Sequence, residues 1–489
     1  MQLNPADAGF AAHLRSLVPD GVIRLDPEPR YFEEPRGRYA GRPGVLALPT
    51  CTDQVSALIK AASVARVPVV PYAGGTGLVG GQIMPDGPPP LLLSVERMQA
   101  IRAIYPRENV VVVESGTILA DLQRAADQAE RLFPLSLASE GSARVGGLLA
   151  TNAGGTGVLR YGNMRDLCIG LEAVLPDGRV WNGLSRLRKD NTGYDLRNLL
   201  VGSEGTLGII TAASLKVFPR PTHQCTAFFV VPSPAAALDL LSLARTQVGE
   251  AVSAFELIHG QGFAFLSETL PDIRQPFEEV PQWCVLIELG LSADQNAEQA
   301  LLNLFERALA EEIVSDGKVA QSLAQSAAFW SVREHLPEAN RRIGSVSSHD
   351  ISVPLGAIPD FIETGWDRIS DLGAFRINCF GHVGDGNLHF NVFPPPGRTR
   401  ADYENERWQI KRCLHDLAHE LGGSISAEHG IGRLKVADLQ RYGDPVKLDV
   451  MRAIKAALDP QGIMNPGVIL AVDPDLSPSA NPVADPAQP

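Results

Sequence analysis

The stretch Pro71-Tyr72-Ala73-Gly74-Gly75-Thr76-Gly77-Leu78-Val79-Gly80-Gly81 decides how this chain is read, because it holds a literal G-x-G-x-x-G at Gly75, Gly77 and Gly80. In a dinucleotide-binding βαβ unit that pattern opens a helix whose N-terminus faces a pyrophosphate, with an acidic residue about 20 positions on. Here the continuation Gln82-Ile83-Met84-Pro85-Asp86-Gly87-Pro88-Pro89-Pro90 cannot be a helix, since its prolines lack the N–H that a helix needs. A nicotinamide site of that kind is therefore excluded. What remains is a run of backbone N–H groups able to cradle an anion such as a phosphate.

Two further loops of similar composition lie downstream. Ser139-Glu140-Gly141-Ser142-Ala143-Arg144-Val145-Gly146-Gly147 runs into Thr151-Asn152-Ala153-Gly154-Gly155, and Arg160-Tyr161-Gly162-Asn163 follows. The stretch reads as too rich in Gly and small residues for core packing, and its density of N–H groups suits a pyrophosphate or an isoalloxazine edge. The third runs from Asp190-Asn191-Thr192-Gly193-Tyr194-Asp195-Leu196 to Gly202-Ser203-Glu204-Gly205-Thr206-Leu207-Gly208, before a strand at Ile209. Short β-rich runs at residues 67–70, 91–94, 110–114 and 209–215 separate the loops, with one amphipathic helix over 53–65. From about residue 224 the pattern becomes strand and helix in alternation, which predicts an α+β domain with an antiparallel sheet. From about residue 401 it is mostly helical, over 402–421 and 445–458, and ends in Asn465-Pro466-Gly467. There is no internal repeat.

Composition narrows the field. With 489 residues, 45% hydrophobic and 20% charged, the chain can bury a large core and divide into two or three domains. Its formal net charge of −13, without a Lys/Arg cluster, lacks the electrostatic footprint of a nucleic-acid binder. No apolar run reaches the ~18 residues of a membrane span, and the N-terminus has no basic-then-apolar signal. The six cysteines include no C-x-x-C, which fits reduced thiols rather than a disulfide framework, zinc ribbon or iron-sulfur cluster. The expectation is a cytoplasmic enzyme with a disordered tail after residue 471.

A second constellation lies in the C-terminal half. Gly381-His382-Val383-Gly384-Asp385-Gly386-Asn387-Leu388-His389 places two imidazoles around a Gly-rich turn that can point both at one centre. Ser426-Ala427-Glu428-His429-Gly430-Ile431-Gly432 sets a carboxylate beside a third imidazole. Two His and one carboxylate form a standard ligand set for a divalent metal with open positions. His415 and His419 also share helical spacing, but on an amphipathic helix they read as packing or surface residues.

The three Gly-rich loops, in this order, resemble the flavin domain of the vanillyl-alcohol-oxidase (PCMH) type of FAD enzymes over roughly residues 44–221. The resemblance implies that Pro71, Ala73, Gly74, Gly75, Thr76, Gly77, Leu78 and Gly81 hold the FAD pyrophosphate. It also implies that two sets of residues line the flavin and the adenosine. One is Ser139, Glu140, Gly141, Gly146, Gly147, Thr151, Asn152, Gly154 and Gly155 with Arg160, Tyr161 and Gly162. The other is Glu204, Gly205, Gly208, Ile209 and Ile210, with Asn465 as a further cofactor contact. The first loop has no His or Cys, the common anchors of a covalent flavin, so FAD is expected to be non-covalent.

The motifs G-H-x-G-D-G-N-x-H and E-H-G-x-G resemble the substrate site of the FAD-linked D-2-hydroxyacid dehydrogenases, a family that includes D-2-hydroxyglutarate and D-lactate dehydrogenases. By that resemblance His382, His389 and Glu428 are ligands of a zinc-like metal, His429 is the catalytic base, Asn387 belongs to the catalytic set, and Arg333 binds the substrate carboxylate. Where the family's 2-hydroxyglutarate enzymes carry a Thr and a Lys beside that Arg, this chain has Pro337 and Ser348, and Ser348 is similar to the D-lactate branch.

The implied fold is α+β. An FAD-binding domain spans residues 1–221 (core about 40–221), a ferredoxin-like substrate (cap) domain spans 222–400, and a helical segment over 401–470 returns to the flavin domain through Asn465. The implied reaction is oxidation of a D-2-hydroxy acid, D-2-hydroxyglutarate or a relative such as D-lactate, to the 2-oxo acid. Electrons are expected to leave to an electron-transfer flavoprotein or a quinone, and the enzyme is expected to be a homodimer. Two readings stay open beside it: a flavoprotein redox subunit without this chemistry, and a metal hydrolase that uses the His/Glu set alone.

Overall fold

The computed structural model describes residues 2–34 and 40–472. The expected disorder of the tail therefore falls, from residue 473 on, outside the described residues. The chain divides into two compact units, one of residues 1–153, 163–220 and 428–489, the other of residues 154–162 and 221–427.

The first unit carries two main sheets. In the four-stranded one the order is Ile23–Arg24, Val45–Ala47, Leu91–Ser94, Val69–Tyr72, with the last three strands parallel. Apart from the buried Ser94, those three strands carry no polar residue but the Tyr72 hydroxyl, because parallel sheets are covered on both faces. Helix Thr52–Ala65 covers one face and buries Val55, Leu58, Ile59 and Ala62 completely. The edge strand Val69–Tyr72 receives the end of the chain: Val69 donates its N–H to the Ile463 carbonyl (2.8 Å) and the Val69 carbonyl accepts from Asn465 (2.9 Å). The second sheet is antiparallel, in the order Ile101–Tyr105, Val110–Glu114, Ile209–Lys216, Cys168–Val174, Val180–Gly183.

The second unit is built on a seven-stranded antiparallel sheet: Asp316–Val319, His223–Val231, Trp283–Leu291, Val252–His259, Arg376–Gly381, Asn387–Phe393, Ser347–Ser352. Side chains alternate between its faces, so Phe229, Val285 and Leu257 join one core while Phe228, Leu286 and Ile258 join another. Helices Pro234–Val248, Ala297–Ala310, Ile358–Leu372 and Glu406–Glu420 contribute to the first core, and Gly260–Thr269 and Leu323–Ile343 to the second.

Two boundaries differ from the sequence expectation. Residues 154–162 belong with the second unit rather than the flavin domain, because Arg160 donates to the Gly290 carbonyl (2.6 Å) and Leu159 packs against Gly384. The segment from residue 401 is not one piece either. Helix Glu406–Glu420 buries Ile410, Leu414, Leu417 and Ala418 in the second unit's core, and the return to the first unit begins at Glu428. All six cysteines are free. No helix among the described residues is long and apolar enough to cross a membrane.

Candidate functional site

In the first unit the loop after Tyr72 makes turns and no helix up to Leu91, as its prolines require. It lies against the second loop so closely that a Cβ on Gly74 would stand 2.5 Å from the Ser142 carbonyl oxygen; only glycine lets these two backbones approach. The second loop is not wholly loop. Val145–Ala150 forms a short helix with Val145, Gly146, Leu148 and Leu149 buried, and Gly146 gives its N–H to the Ser115 carbonyl (2.8 Å). Gly146 is thus packed, within a stretch that reads as too rich in Gly and small residues for core packing. Arg160, Tyr161 and Gly162 sit in the second unit, with Arg160 engaged by sheet carbonyls. The third loop splits. Residues 190–195 are exposed, and Asp190 accepts from the Thr192 N–H. Residues 203–210 are buried, and Ile209 and Ile210 are already part of the antiparallel sheet.

Asn152 (φ 51°) and Glu204 (φ 49°) in these loops and Asn465 (φ 43°) in the C-terminal segment are non-glycine residues in left-handed backbone conformations. Such strain persists only where the surroundings over-determine it, and here they do. The Asn152 Oδ1 accepts from the Arg165 N–H (2.9 Å). The Asn465 Nδ2 donates to the carbonyls of Gly81 and Glu204, both at 2.8 Å. The buried Glu204 carboxylate accepts the N–H groups of Ile431 and Gly432, both at 2.8 Å. Glu204, read from sequence as a flavin contact, therefore holds the E-H-G-I-G motif in place on its own unit. Burial pushes its carboxyl above the ordinary range, opposed by those two N–H donors. Arg433 extends the anchorage, its N–H bonding the Val79 carbonyl (2.8 Å) and its Nε the Ile83 carbonyl.

In the second unit the hairpin from Arg376–Gly381 to Asn387–Phe393 does what the Gly-rich turn implied, bringing the His382 and His389 rings to 5.9 Å between centroids. Asn387 is buried and directs its Nδ2 to Asp350 Oδ1 (2.9 Å) and the Ile351 carbonyl (3.0 Å). That makes it a brace between two strands, in a position to act through Asp350, which pairs across the strands with His389. The decisive group is one that sequence reading passed over. Glu256, fully excluded from solvent, places Oε1 2.5 Å from His382 Nδ1 and accepts at Oε2 from Arg333 Nε (2.7 Å). Burial is the largest single influence on this carboxyl and opposes its ionisation, but His382 and Arg333 together outweigh it and bring it down to about 2. Its signal was a lone carboxylate inside the apolar run Val252-Ser253-Ala254-Phe255-Glu256-Leu257-Ile258.

Arg333 also lies over the Phe380 ring, 4.9 Å from its centroid. Pro337 falls within the same helix, Leu323–Ile343, and Ser348 bonds the Ser345 hydroxyl (2.7 Å). His415 is buried edge-on to His349 (5.3 Å) while His419 is exposed, which fits packing and surface roles. His382, His389 and Glu428 form a group able to hold a metal ion, with ligand atoms within 4.8 Å of one another, as do Asp350, Glu428 and His429. Imidazole nitrogen and carboxylate oxygen at that spacing are a donor set suited to a divalent transition metal.

Residues 43–183 match the model of an FAD binding domain, and residues 220–469 that of the FAD linked oxidases, C-terminal domain. A D-2-hydroxyglutarate dehydrogenase of Xanthomonas citri is 34% identical over 460 residues, covering 93% of this chain and 95% of that protein. The chain belongs to the FAD-linked D-2-hydroxyacid dehydrogenase family. It is an FAD-dependent oxidoreductase. The mitochondrial D-2-hydroxyglutarate dehydrogenase of Arabidopsis thaliana is 35% identical over 434 residues, 88% of this chain and 76% of that protein. A putative D-lactate dehydrogenase of Schizosaccharomyces pombe is 35% identical over 443 residues, covering 88% and 82%. Among solved structures, p-cresol methylhydroxylase superposes with a TM-score of 0.73 at 15% identity, covering 96% of this chain and 99% of that one. Likeness at that identity speaks for the fold alone.

Proposed function

We propose that the protein oxidises D-2-hydroxyglutarate or a related D-2-hydroxy acid to the 2-oxo acid, with FAD held non-covalently and His382, His389 and Glu428 holding a divalent metal, zinc by preference. The observation that carries this reading is the buried Glu256 bridging His382 and Arg333, which puts a forked cation for a carboxylate beside an imidazole poised as a metal ligand. A metal held by those three residues would make a nearby substrate hydroxyl more acidic, and FAD would supply the hydride acceptor.

The chain's own residues do the rest. Arg333 meets Glu256 through Nε, which leaves its Nη pair to serve as a carboxylate receptor. His429, on a motif clamped by Glu204, takes the hydroxyl proton; general-base help of this kind is worth about 10²–10⁴-fold. D-lactate is the second reading. Pro337 has no N–H or polar side chain and Ser348 no charge, so a distal carboxylate gains no ammonium partner at either position. Reoxidation passes electrons to a separate acceptor, an electron-transfer flavoprotein or a quinone, and we place the enzyme in the cytoplasm as a homodimer.

The test is anaerobic mixing of the purified holoenzyme with D-2-hydroxyglutarate, D-lactate, D-malate and their L-enantiomers while the flavin absorbance is followed. Bleaching by a D-acid, lost after chelation, is expected. A yellow protein that none of these acids bleaches would overturn the proposal in favour of a redox subunit.

A further inference from the structure

Past the register shift at Val252/Ala254, strand Val252–His259 sends even-numbered Ile258 into the core that helix Leu323–Ile343 shares, while Phe255 and Leu257 join the opposite core. Glu256 shares that parity, so a carboxylate stands in an apolar layer with no solvent exposure. An ionised carboxylate in such a place costs several kcal/mol unless its oxygens are matched, and each oxygen here has a separate charged or ionisable partner. The same helix is tied to the sheet a second time, by Trp330 Nε1 donating to Glu288 Oε2 (2.8 Å). Arg333 thus projects from a helix docked on two sheet carboxylates.

We propose that Glu256 is a positioning residue that couples metal retention to recognition of the substrate carboxylate. Its 2.5 Å contact with His382 Nδ1 orients the ring through that nitrogen and makes Nε2 the ligating one, the arrangement in which outer carboxylates orient metal-binding histidines. Its bond to Arg333 Nε holds the guanidinium at the one nitrogen a bidentate carboxylate does not need, so Nη1 and Nη2 stay available. One carboxylate therefore sets both the imidazole and the fork, and neither side chain can leave its orientation without breaking a bond to the shared group. The inference rests on the metal-assisted reading above.

The experiment compares wild-type holoenzyme with E256Q, an isosteric change whose amide can satisfy one partner only, because its NH₂ then faces a donor on the other. Zinc affinity is measured by competition with a chromophoric chelator, and kcat and KM are measured for the D-acid that bleaches the wild type. Zinc binding is expected to weaken about 10–100-fold and KM to rise by about tenfold or more, with FAD stoichiometry unchanged. If E256Q does not accumulate as folded holoenzyme, E256D keeps the charge on a shorter arm that spans the two partners less well, and the same paired losses are expected. Zinc affinity and KM both within about twofold of wild type, or a change in only one of them, would overturn the coupling while leaving the proposed reaction intact. A wild type that neither binds zinc nor is bleached by any D-acid would overturn both.

Discussion

Replacing Glu204 by Ala removes the acceptor of two backbone N–H groups, those of Ile431 and Gly432, each held at 2.8 Å. A hydrogen bond to a charged acceptor contributes about 1.5–3 kcal/mol, so the pair is worth about 3–6 kcal/mol. Relief from burying the carboxyl, which burial holds above its ordinary range, offsets part of that, and a net loss of about 3 kcal/mol is expected. Because Ala adopts the same left-handed backbone as Glu at position 204 (φ 49°), the difference isolates the side chain. Glu204→Gln keeps the volume and one acceptor but turns an NH₂ toward the other donor, for a loss of about 1–2 kcal/mol. At about 2 °C per kcal/mol for domains of this size, calorimetry should show melting fall by roughly 6 °C for Ala and 3 °C for Gln. Hydrogen exchange at Ile431 and Gly432 should accelerate, and kcat should drop more than FAD occupancy because His429 loses its anchorage. Melting within about 1 °C of wild type, with those amides still protected, would show that the motif is held by something else.

Three further outcomes are expected. Gly74→Ala forces a Cβ to within 2.5 Å of the Ser142 carbonyl; overpacking of about 1–3 kcal/mol should weaken FAD retention about tenfold or more, read from the ratio of protein to flavin absorbance, and full retention would refute the loop-to-loop contact. His259 is pushed by burial from 6.5 down to about 4, so the unfolded chain binds its proton first and stability at neutral pH is lost as pH falls from about 6.5 to about 4, by up to ~3 kcal/mol. His259→Asn keeps an acceptor for the Gln261 N–H without titrating, so denaturation midpoints of the two proteins should converge and cross on acidification; parallel curves would contradict this. Lys455 donates to the carbonyls of Thr206 and Met464 and to Asp459, whose side chain is 1% exposed; Lys455→Met should cost about 3 kcal/mol by stranding that carboxylate, and adding Asp459→Asn should recover part of it in a melting experiment.

Much of this architecture is legible in periodicity. The runs at Leu91–Ser94, Val110–Glu114 and Pro445–Leu458 stand where the pattern puts them, and a stretch covered on both faces, such as residues 227–231 of strand His223–Val231, shows as an unbroken apolar run. Glycine and proline around residues 74–90 reveal a loop for the same local reason. What periodicity cannot carry is partnership across the chain. Nothing near Glu204 announces Ile431, and nothing near Glu256 announces His382 and Arg333, because these pairings are made by folding and not by spacing. The Val145–Ala150 helix was hidden because Gly146 packs tightly against Ser115, a use of glycine that composition alone cannot tell from a turn. The transfer of residues 154–162 to the other unit has the same origin, since Arg160 meets carbonyls more than 90 positions away.

The pairing of Val69 with Ile463 and Asn465 has a consequence for how the protein is made. The outer edge of the first sheet stays open on the ribosome until almost the whole chain has been synthesised. At about 5–20 residues per second that is a wait on the order of tens of seconds. The second unit, drawn from residues 154–162 and 221–427, has all its parts roughly 2–7 s earlier. That unit can thus close first, while strand Val69–Tyr72, though made earlier, keeps an unpaired edge that invites aggregation until residues 463–465 reach it.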